Sequence, residues 1–597
     1  MHTATKTFAV ALVLVLTATG LWAAASEEAP APAAEKEMVT DPTTGKMVTA
    51  PQYGGTITYS QPGYAENSID AAYCCGAAYF IGGVNETLAI ADWGISRDTF
   101  DFAPVYLPTS VLTGQLAESW DVSDPLTYVF RIREGVHWHD KEPMNGRELT
   151  AEDIVFNYHR FLGLGSGFTE PSPSYAGGRS AALPLESVTA PDQRTVVFKL
   201  KHPILDGPLK IANNAHMMPP EVIKRDGNIN RADWQNLVGT GPYEITDWVE
   251  ESSITYTRNP NYWGTDEKYP ENRLPYTDEL TNLIIREPAT VAAALRSGKL
   301  DMLITAASFA NVEMAESLQE TNPEITLYPW DYRSNYSYRA YNPFVPSPTD
   351  DIRVRHAIQM ALDLETINDT YFQGYGKWEP QGRVGDNILG GYNNPFEEWP
   401  EEIKQYWRYD PEGAERLLDE AGYPRGEDGT RFELPMVFVG SYHDTGYYDI
   451  VIAYLAEVGI AAEKDPMDHP SWMVQARDAS WPGLAMGFLG LDYPPAGMCY
   501  TDATHYMKVP DDPEQTALHE AIMAATSYEE EARLVKECDM LMIQKHEIIW
   551  GPKIPQFTAA QPWVIGYNGE GELCNQCNSA PIYARLWIDQ EVKAMSQ

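Results

Sequence analysis

Short segments of alternating apolar and polar residues are interspersed with capped amphipathic stretches along most of this chain. Alternation with a period of two predicts β-strands, whereas apolar residues three and four positions apart predict helices. Strands are predicted at 127–134, 195–200 and 253–260, where turn-forming residues bound each segment. Because strands and helices mix throughout a chain of 597 residues, we expect an α/β fold with more than one lobe.

Three stretches carry helix signals that can be assigned residue by residue. One helix is predicted after Thr150, which is suited to be the N-cap because Asp153 follows three positions later. A second is predicted over 351–367, where apolar residues recur on one face. A third is predicted between Asp410 as cap and Gly422 as stop.

The segment LVGTGPYEITDW, residues 237–248, has the glycines of a nucleotide loop. A phosphate loop needs consecutive inward N–H groups, and usually a lysine and a helix start behind them. Pro242 removes an N–H directly after the second glycine, and no lysine follows. Residues 243–248 alternate as a strand does. We therefore predict a tight structural turn that enters a strand and binds no phosphate.

The N-terminal region is typical of an exported protein. A lysine precedes an apolar run at 8–21, and small residues follow, so residues 1–25 are expected to be a cleaved signal peptide. Residues 26–52 are rich in Ala, Pro and Glu, and a disordered tether is expected there. The first cysteine is Cys74, so no lipid-accepting cysteine follows the cleavage site. We expect a periplasmic or otherwise extracytoplasmic protein that does not span a membrane.

The charge balance bears on which ligands the protein can bind, and the cysteine count bears on its disulfides. The chain has 43 Lys and Arg against 85 Asp and Glu, a net charge of −42. Nucleic-acid binding is therefore not expected, because phosphate backbones require a basic surface. Six cysteines permit three disulfides in an oxidising compartment. The CNQC segment at 574–577 is expected to form a local disulfide or to carry two free thiols.

No catalytic motif is complete. The segment at 163–168 lacks the spacing of a serine-hydrolase elbow, and the segment at 545–550 has only one of the two histidines of a zinc-protease helix. His137 and His139 in HWHD form a conceivable metal half-site, or else loop histidines satisfied by the backbone. We predict a non-enzyme with no cofactor and no metal site, and keep a secreted metal-dependent hydrolase as the minor alternative.

Several segments, in order, resemble the family 5 extracellular solute-binding proteins, which are the oligopeptide-, dipeptide- and nickel-type receptors of ABC importers. The resemblance spans about residues 53 to 570. The segments that carry it are GQLAESWDVSDPLTYVFRIREGVHWHDKEPMNGRELTAEDIVF (114–156), VGTGPYEITDW (238–248), RNPNYWG (258–264), ALRSGKLDM (294–302), DIRVRHAIQMALD (351–363) and YDPEGAERLLDEAGYP (409–424).

The resemblance implies a two-lobed periplasmic binding protein-like α/β fold that encloses ligand in a cleft between hinged lobes. Lobe I would span 53–328 and return over 558–597, with an extra subdomain near 91–205. Lobe II would take 329–557. A monomer that delivers its ligand to the permease subunits of an importer is expected.

The resemblance also nominates ligand-binding residues in lobe II. Peptide receptors of this family commonly fix the ligand's ammonium with an aspartate in a W-x-x-D-Y type stretch. The aligned segment at 488–500 nominates Asp492, with Tyr493 beside it, although it lacks the tryptophan and the second acidic residue. Trp472 and Arg477 stand where family members often line the pocket, so Trp472 would stack on the ligand and Arg477 would pair with a carboxylate.

A short peptide is the expected ligand. An oligosaccharide is the alternative on the same fold, because 16 Trp and 35 Tyr suit stacking on sugars. Nickel is less expected, since only Cys499 stands close to Asp492 among His and Cys residues. A chemosensory receptor subunit would bind the same ligands and dock on a sensor instead of an importer.

Overall fold

The computed structural model describes most of the chain in fourteen stretches. These are residues 36–60, 68–73, 78–100, 102, 107–175, 183–213, 215–304, 312–330, 337–384, 391–440, 445–486, 512–553, 556–570 and 580–596. The chain divides into two compact units, of which the smaller comprises residues 1–41 and 45–50 and the larger comprises 42–44 and 51–597.

The smaller unit contains an antiparallel hairpin of β1 (Met38–Thr40) and β2 (Met47–Thr49). The triplet Met-Val-Thr occurs in both strands, and a turn connects them in which Gly45 has a left-handed φ of 68°. This hairpin differs from the disordered tether predicted for 26–52. The low-complexity composition of the segment obscured a short repeat that can pair with itself.

The larger unit contains the remaining elements. Its strands are β3 (Thr56–Ser60), β4 (Ala89–Ala91), β5 (Leu112–Gly114), β6 (Ala117–Asp124), β7 (Thr127–Ile132), β8 (Leu185–Asp192), β9 (Thr195–Leu200), β10 (Tyr243–Val249), β11 (Ser253–Arg258), β12 (Glu279–Leu283), β13 (Met302–Leu303), β14 (Thr326–Trp330), β15 (Tyr338–Arg339), β16 (Phe432–Val439), β17 (Ile460–Met467), β18 (Leu484–Met486), β19 (Ile548–Ile549), β20 (Gln556–Ala560), β21 (Val564–Ile565) and β22 (Trp587–Ile588).

Its α-helices are α1 (Ala78–Ile81), α2 (Ala151–Leu162), α3 (Gly207–Ala212), α4 (Pro220–Asp226), α5 (Pro288–Arg296), α6 (Val312–Thr321), α7 (Ile352–Met360), α8 (Leu364–Thr370), α9 (Glu401–Lys404), α10 (Pro411–Glu420), α11 (Thr445–Glu457), α12 (His469–Asp478), α13 (Pro513–Ala524), α14 (Tyr528–Lys545), α15 (Ala580–Arg585) and α16 (Gln590–Ser596). Short 3₁₀ helices lie at Thr109–Val111, Arg231–Asn236, Pro348–Asp350, Phe396–Glu398 and Gln405–Trp407.

The predicted helix starts at Thr150 and Asp410 are confirmed. Thr150 precedes α2 and forms a capping box with Asp153. Asp410 precedes α10 and accepts a hydrogen bond from the Gly413 N–H at 2.8 Å. The single helix predicted over 351–367 is instead two helices, α7 and α8. Asp363 interrupts it by accepting the Thr366 N–H at 3.0 Å, which makes Asp363 the N-cap of a new helix.

Two large sheets dominate the larger unit. One has seven strands in the order β10-β11-β12-β3-β13-β20-β14, and the other has five in the order β17-β16-β18-β15-β19. A four-stranded antiparallel sheet, β6-β7-β9-β8, accompanies the first. The chain passes from the seven-stranded to the five-stranded sheet between Trp330 and Tyr338, and it returns between Ile549 and Gln556. These two crossovers lie close to the lobe boundaries predicted at 328/329 and 557/558.

Each large sheet has its own hydrophobic core. One core joins Ile57 and Tyr256 of the seven-stranded sheet to Phe130 and Phe198 of the four-stranded sheet and to Leu586 near the C-terminus. We call this portion, residues 51–330 and 556–596, the first lobe. A second core surrounds the five-stranded sheet and includes its strand residues, the inner faces of α7 and α11, and Trp472. We call this portion, residues 337–553, the second lobe.

Cys538 is a buried free thiol in a small apolar cluster on α14. The six cysteines therefore do not form three intramolecular disulfides. The other five lie outside the described residues, and so does the predicted local pair at 574–577.

Candidate functional site

The strand register shows which edge of the second lobe faces the crossovers. Strands β16, β17 and β18 are parallel, so their carboxyl ends share one edge of the sheet. Strand β15 is antiparallel to β18 and begins at Tyr338, which pairs with Met486 at the carboxyl end of β18. Strand β19 ends at Ile549, which also pairs with Tyr338. Both crossovers therefore meet the second lobe at the carboxyl edge of its parallel strands.

The first lobe repeats this arrangement. Strands β3, β12 and β13 are parallel, and β20 runs antiparallel to β13 with Ala559 opposite Leu303. Strand β20 begins at Gln556, which pairs with Trp330 at the end of β14. The crossovers thus also meet the first lobe at the carboxyl edge of its parallel strands. In open α/β sheets ligands bind outside the carboxyl ends of the strands, so the cleft between these two edges is the candidate site.

The predicted ligand residues belong to segments that follow these carboxyl ends. Helix α12, which begins directly after β17, contains Trp472 and Arg477. Its N-cap Asp468 accepts the Ser471 N–H at 2.9 Å, which fixes the helix at the strand end. Asp492 stands six residues after the end of β18. The structure thus places the start of α12 at the carboxyl edge of the sheet, and Asp492 follows β18 in the sequence.

The side chains can be placed only in part. Trp472 is 1% exposed and packs in the core of the second lobe. Arg477 is a helical residue whose side chain lies outside the described residues, and Asp492 and Tyr493 lie outside them altogether. Their roles at the ligand remain predictions.

The GTGPY turn lies at the opposite edge of the first lobe. It ends at Tyr243, the first residue of β10, and β10 runs in the same direction as β12 because both are antiparallel to β11. The Gly239 N–H donates to His139 Nδ1 at 3.3 Å, and the Gly241 N–H donates to the Val84 carbonyl at 2.8 Å. These N–H groups are used within the protein, so the structural turn predicted from the sequence is confirmed.

Close packing explains both glycines of this turn. A Cβ at Gly239 would lie 1.8 Å from the Val84 carbonyl oxygen, and one at Gly241 would lie 2.7 Å from the Gly83 carbonyl oxygen. Neither contact leaves room for a side chain. The turn is therefore fixed by the loop between α1 and β4, about 155 residues earlier in the sequence.

His139 is the partner of this turn and not half of a metal site. Its Nδ1 accepts the Gly239 N–H and its Nε2 donates to the Gly241 carbonyl at 3.0 Å, so neither nitrogen is left for a metal. Burial lowers the pKa of His139 to about 4 and keeps the ring neutral. His137 is exposed and bonds to the Gly146 carbonyl at 2.8 Å. No group of three or more potential metal ligands occurs in the stretches that the structure describes.

Glu86 is a buried carboxylate that belongs to no motif recognised in the sequence. It is 2% exposed, and it accepts hydrogen bonds from the Tyr262 hydroxyl at 2.8 Å, the Trp263 indole at 3.0 Å and the Gln115 amide at 3.0 Å. Burial raises its pKa to about 7 although these donors favour the charged form. A cavity of about 240 Å³ adjoins it, bounded also by Arg133.

The Glu86 network is structural. Its three donors occupy both carboxylate oxygens, and the cavity is at the amino edge of the first sheet, away from the crossovers. Since the donors lie 29 to 177 residues from Glu86 along the chain, no local motif could have revealed them.

Comparison with known proteins now decides the family. The sequence model of the family described as bacterial extracellular solute-binding proteins, family 5, matches residues 111–505, which are about two thirds of the chain. The chain belongs to this family. It is similar to the dipeptide-binding protein of Escherichia coli, with 27% identity over 392 residues that cover 64% of this chain and 68% of the relative. It is also similar to heme-binding protein A of Haemophilus influenzae, with 25% identity over 472 residues that cover 76% and 81%.

A solved structure confirms the fold of this family 5 protein. The periplasmic binding protein DppA of Helicobacter pylori, in complex with the peptide STSA, superposes with a TM-score of 0.69 at 19% identity, covering 90% of this chain and 99% of DppA. The predicted two-lobed periplasmic binding protein-like fold is thereby confirmed. Within the described portion of the chain, none of the helices has the length and apolar character needed to cross a bilayer.

Proposed function

We propose that this family 5 protein captures a short peptide between its two lobes and delivers it to the permease subunits of an ATP-driven importer. One observation supports this most directly: both sheets turn the carboxyl ends of their parallel strands toward the crossovers. Asp492 stands six residues after β18 in the sequence. Closure about the crossovers would enclose a ligand there.

The proposed recognition is electrostatic at both ends of the peptide. Asp492, with Tyr493 beside it, would accept hydrogen bonds from the ligand's ammonium, and Arg477 would pair with a carboxylate. Because Trp472 is buried in the core of the second lobe, it would act chiefly by holding α12, the helix that carries Arg477. We propose no catalytic role for any of these residues.

We further propose that the mature protein is an extracytoplasmic monomer. The apolar run at 8–21 and the small residues after it support removal of a signal peptide before about Ser26. The net charge of −42 supports high solubility in that compartment.

Thermal melting of the purified chain from Ser26 onward tests the proposal. The melting temperature is measured in the presence of di- to pentapeptides, neutral oligosaccharides and nickel. A peptide that binds the folded state raises the melting temperature by mass action. We expect a shift with peptides that Asp492→Ala abolishes and that Asp369→Ala, an exposed site on α8, leaves unchanged. A shift with oligosaccharides alone, or peptide binding that survives Asp492→Ala, would contradict the proposed ligand or its anchor.

The similarity to heme-binding protein A over 472 residues favours heme as a second candidate ligand. Hemin titration separates the two, because a bound heme changes its absorption spectrum and a peptide does not. Tight hemin binding that no peptide displaces would replace the peptide proposal.

A metal-dependent hydrolase is not proposed, since both nitrogens of His139 are used by the GTGPY turn. Chelator-sensitive cleavage of a peptide by the purified chain would overturn that judgement.

A further inference from the structure

A hydrogen bond joins the two lobes outside the crossovers. The Tyr528 hydroxyl, at the start of α14 in the second lobe, donates to Asp206 Oδ1 at 2.5 Å. Asp206, in the first lobe, also accepts from the Thr109 hydroxyl at 2.8 Å. Asp206 is only 6% exposed and Tyr528 is 52% exposed, so this is a charge-assisted hydrogen bond between a buried acceptor and a half-exposed donor.

Both partners are held in place before they meet. Asp206 has a left-handed φ of 51°, directly before α3, and Thr109 orients its carboxylate. Such a backbone conformation is uncommon outside glycine, although aspartate tolerates it better than most residues. Tyr528 is the first residue of an 18-residue helix whose N-cap, Ser527, accepts the Glu530 N–H at 3.3 Å. Little backbone freedom is therefore left to lose when the contact forms.

The second-lobe side of the contact is also anchored in its own core. Leu534 and Val535 of α14 pack in the apolar cluster that contains Cys538. Burial and the neighbouring Asp206 carboxylate raise the pKa of Tyr528 well above its ordinary value, so the hydroxyl remains a proton donor over the physiological pH range. A rotation of the lobes about the crossovers would move Asp206 relative to Tyr528, because the neighbours of Asp206 pack in the first-lobe core and α14 packs in a second-lobe cluster.

We propose that the Asp206–Tyr528 hydrogen bond is a clasp that favours the lobe arrangement of this structure, taken here as the closed one, and slows the release of a ligand held between the lobes. Its effect on ligand release rests on the proposed function, whereas its effect on lobe closure does not. The clasp adds to whatever the ligand contributes to closure, since its two residues are not among the predicted ligand contacts.

Small-angle X-ray scattering of the chain without ligand tests the clasp first. Tyr528→Phe removes only the hydroxyl, and Asp206→Ala removes the acceptor. We expect each variant to raise the ratio of open to closed molecules by about three- to tenfold, the range for an ordinary hydrogen bond, because water can replace part of the contact at the half-exposed donor. The radius of gyration should rise accordingly. Tyr409→Phe is the matched control, because this half-exposed tyrosine makes an edge-to-face ring contact with Tyr454 within the second lobe.

The double variant separates the clasp from a general loss of structure. If the two residues act through one hydrogen bond, Tyr528→Phe combined with Asp206→Ala should open the lobes no more than Asp206→Ala alone. Equal radii of gyration for wild type, Tyr528→Phe and Tyr409→Phe would overturn the clasp, as would fully additive effects.

Measuring ligand dissociation distinguishes a failure of the clasp from a failure of the proposed function. For a peptide that raises the melting temperature of the wild type, Tyr528→Phe should accelerate dissociation by about three- to tenfold, and Tyr409→Phe should not. If no peptide binds any variant, the proposed ligand fails and the scattering result still decides the clasp. An unchanged dissociation rate in Tyr528→Phe would overturn the claimed effect on release.

Discussion

Replacing Glu86 by glutamine should change how the stability of the first lobe depends on pH. The Glu86 carboxylate is 2% exposed, and burial raises its pKa from 4.5 to about 7. The folded protein therefore holds this proton more tightly than the unfolded chain does. A group with a raised pKa contributes stability that is complete below its unfolded pKa and is lost as the pH rises through its folded pKa.

The size of this effect follows from the shift. The pKa of Glu86 rises from 4.5 to about 7 on folding, and each pKa unit corresponds to about 1.4 kcal/mol. The free energy of unfolding should therefore fall by on the order of 3 kcal/mol between pH 4.5 and pH 8. Glutamine has nearly the same shape and does not titrate, so Glu86→Gln removes this pH dependence. It also places an NH₂ donor against the Tyr262, Trp263 or Gln115 donors, a cost of about 1–3 kcal/mol at every pH.

The assay is urea unfolding followed by tryptophan fluorescence at several pH values, for wild type and Glu86→Gln in parallel. The wild-type free energy of unfolding minus that of the variant should fall by about 3 kcal/mol from pH 4.5 to pH 8. Taking this difference cancels the titration of every other group. Glu118→Gln, at an exposed site on β6, is the control and should leave the wild-type profile unchanged. A difference between wild type and Glu86→Gln that stays constant over this range would refute the reasoning.

Three further predictions concern other buried sites. Gly239→Ala should lower the melting temperature far more than Gly83→Ala. An added Cβ would lie 1.8 Å from the Val84 carbonyl oxygen at position 239, but 3.7 Å from its nearest neighbour at position 83. Equal melting temperatures of the two variants would contradict this. Burial lowers the pKa of His216 to about 4, so its contribution to stability is lost as the pH falls from about 6.5 toward 4. His216→Leu should reduce the drop in melting temperature between pH 7 and pH 4, and an unreduced drop would contradict this. Burial raises the pKa of the Cys538 thiol to about 12, so iodoacetamide at pH 8 should label this thiol only after unfolding. Peptide mapping by mass spectrometry detects the label, and rapid labelling of the folded protein would contradict the prediction.

Local signals in the sequence predicted individual elements well. The strand predicted at 195–200 is β9, because alternation is a property of the segment itself. The cap at Asp410 was predictable for the same reason, since the capping aspartate and the N–H it binds are three residues apart. The uninterrupted helix over 351–367 was wrong, because Asp363 competes for a backbone N–H that a continuous helix would not leave free. The apolar pattern alone could not show this competition.

Contacts between distant segments were not predictable in this way. The sequence offered HWHD as a metal half-site or as satisfied loop histidines, and only the fold brings His139 to the turn about 100 residues later. Glu86 stands in no motif at all, and its donors come from two separate segments, one with Gln115 and one with Tyr262 and Trp263. The Asp206–Tyr528 contact spans 322 residues. The resemblance to the family supplied the overall fold because it carries information on such long-range packing that single segments lack.

The packing contacts described for the first lobe and the segments predicted to bind ligand lie at opposite edges of their sheets. The GTGPY turn and the Glu86 network hold the amino edge of the first lobe, whereas the segments predicted to bind ligand follow the carboxyl ends of the second-lobe strands. Substitutions in the segments predicted to bind ligand are therefore not expected to disturb the packing at the amino edge. This separation predicts that Asp492→Ala changes peptide affinity and leaves the Glu86-dependent pH profile of unfolding as in the wild type. A changed profile would show that the two edges are coupled through the lobes.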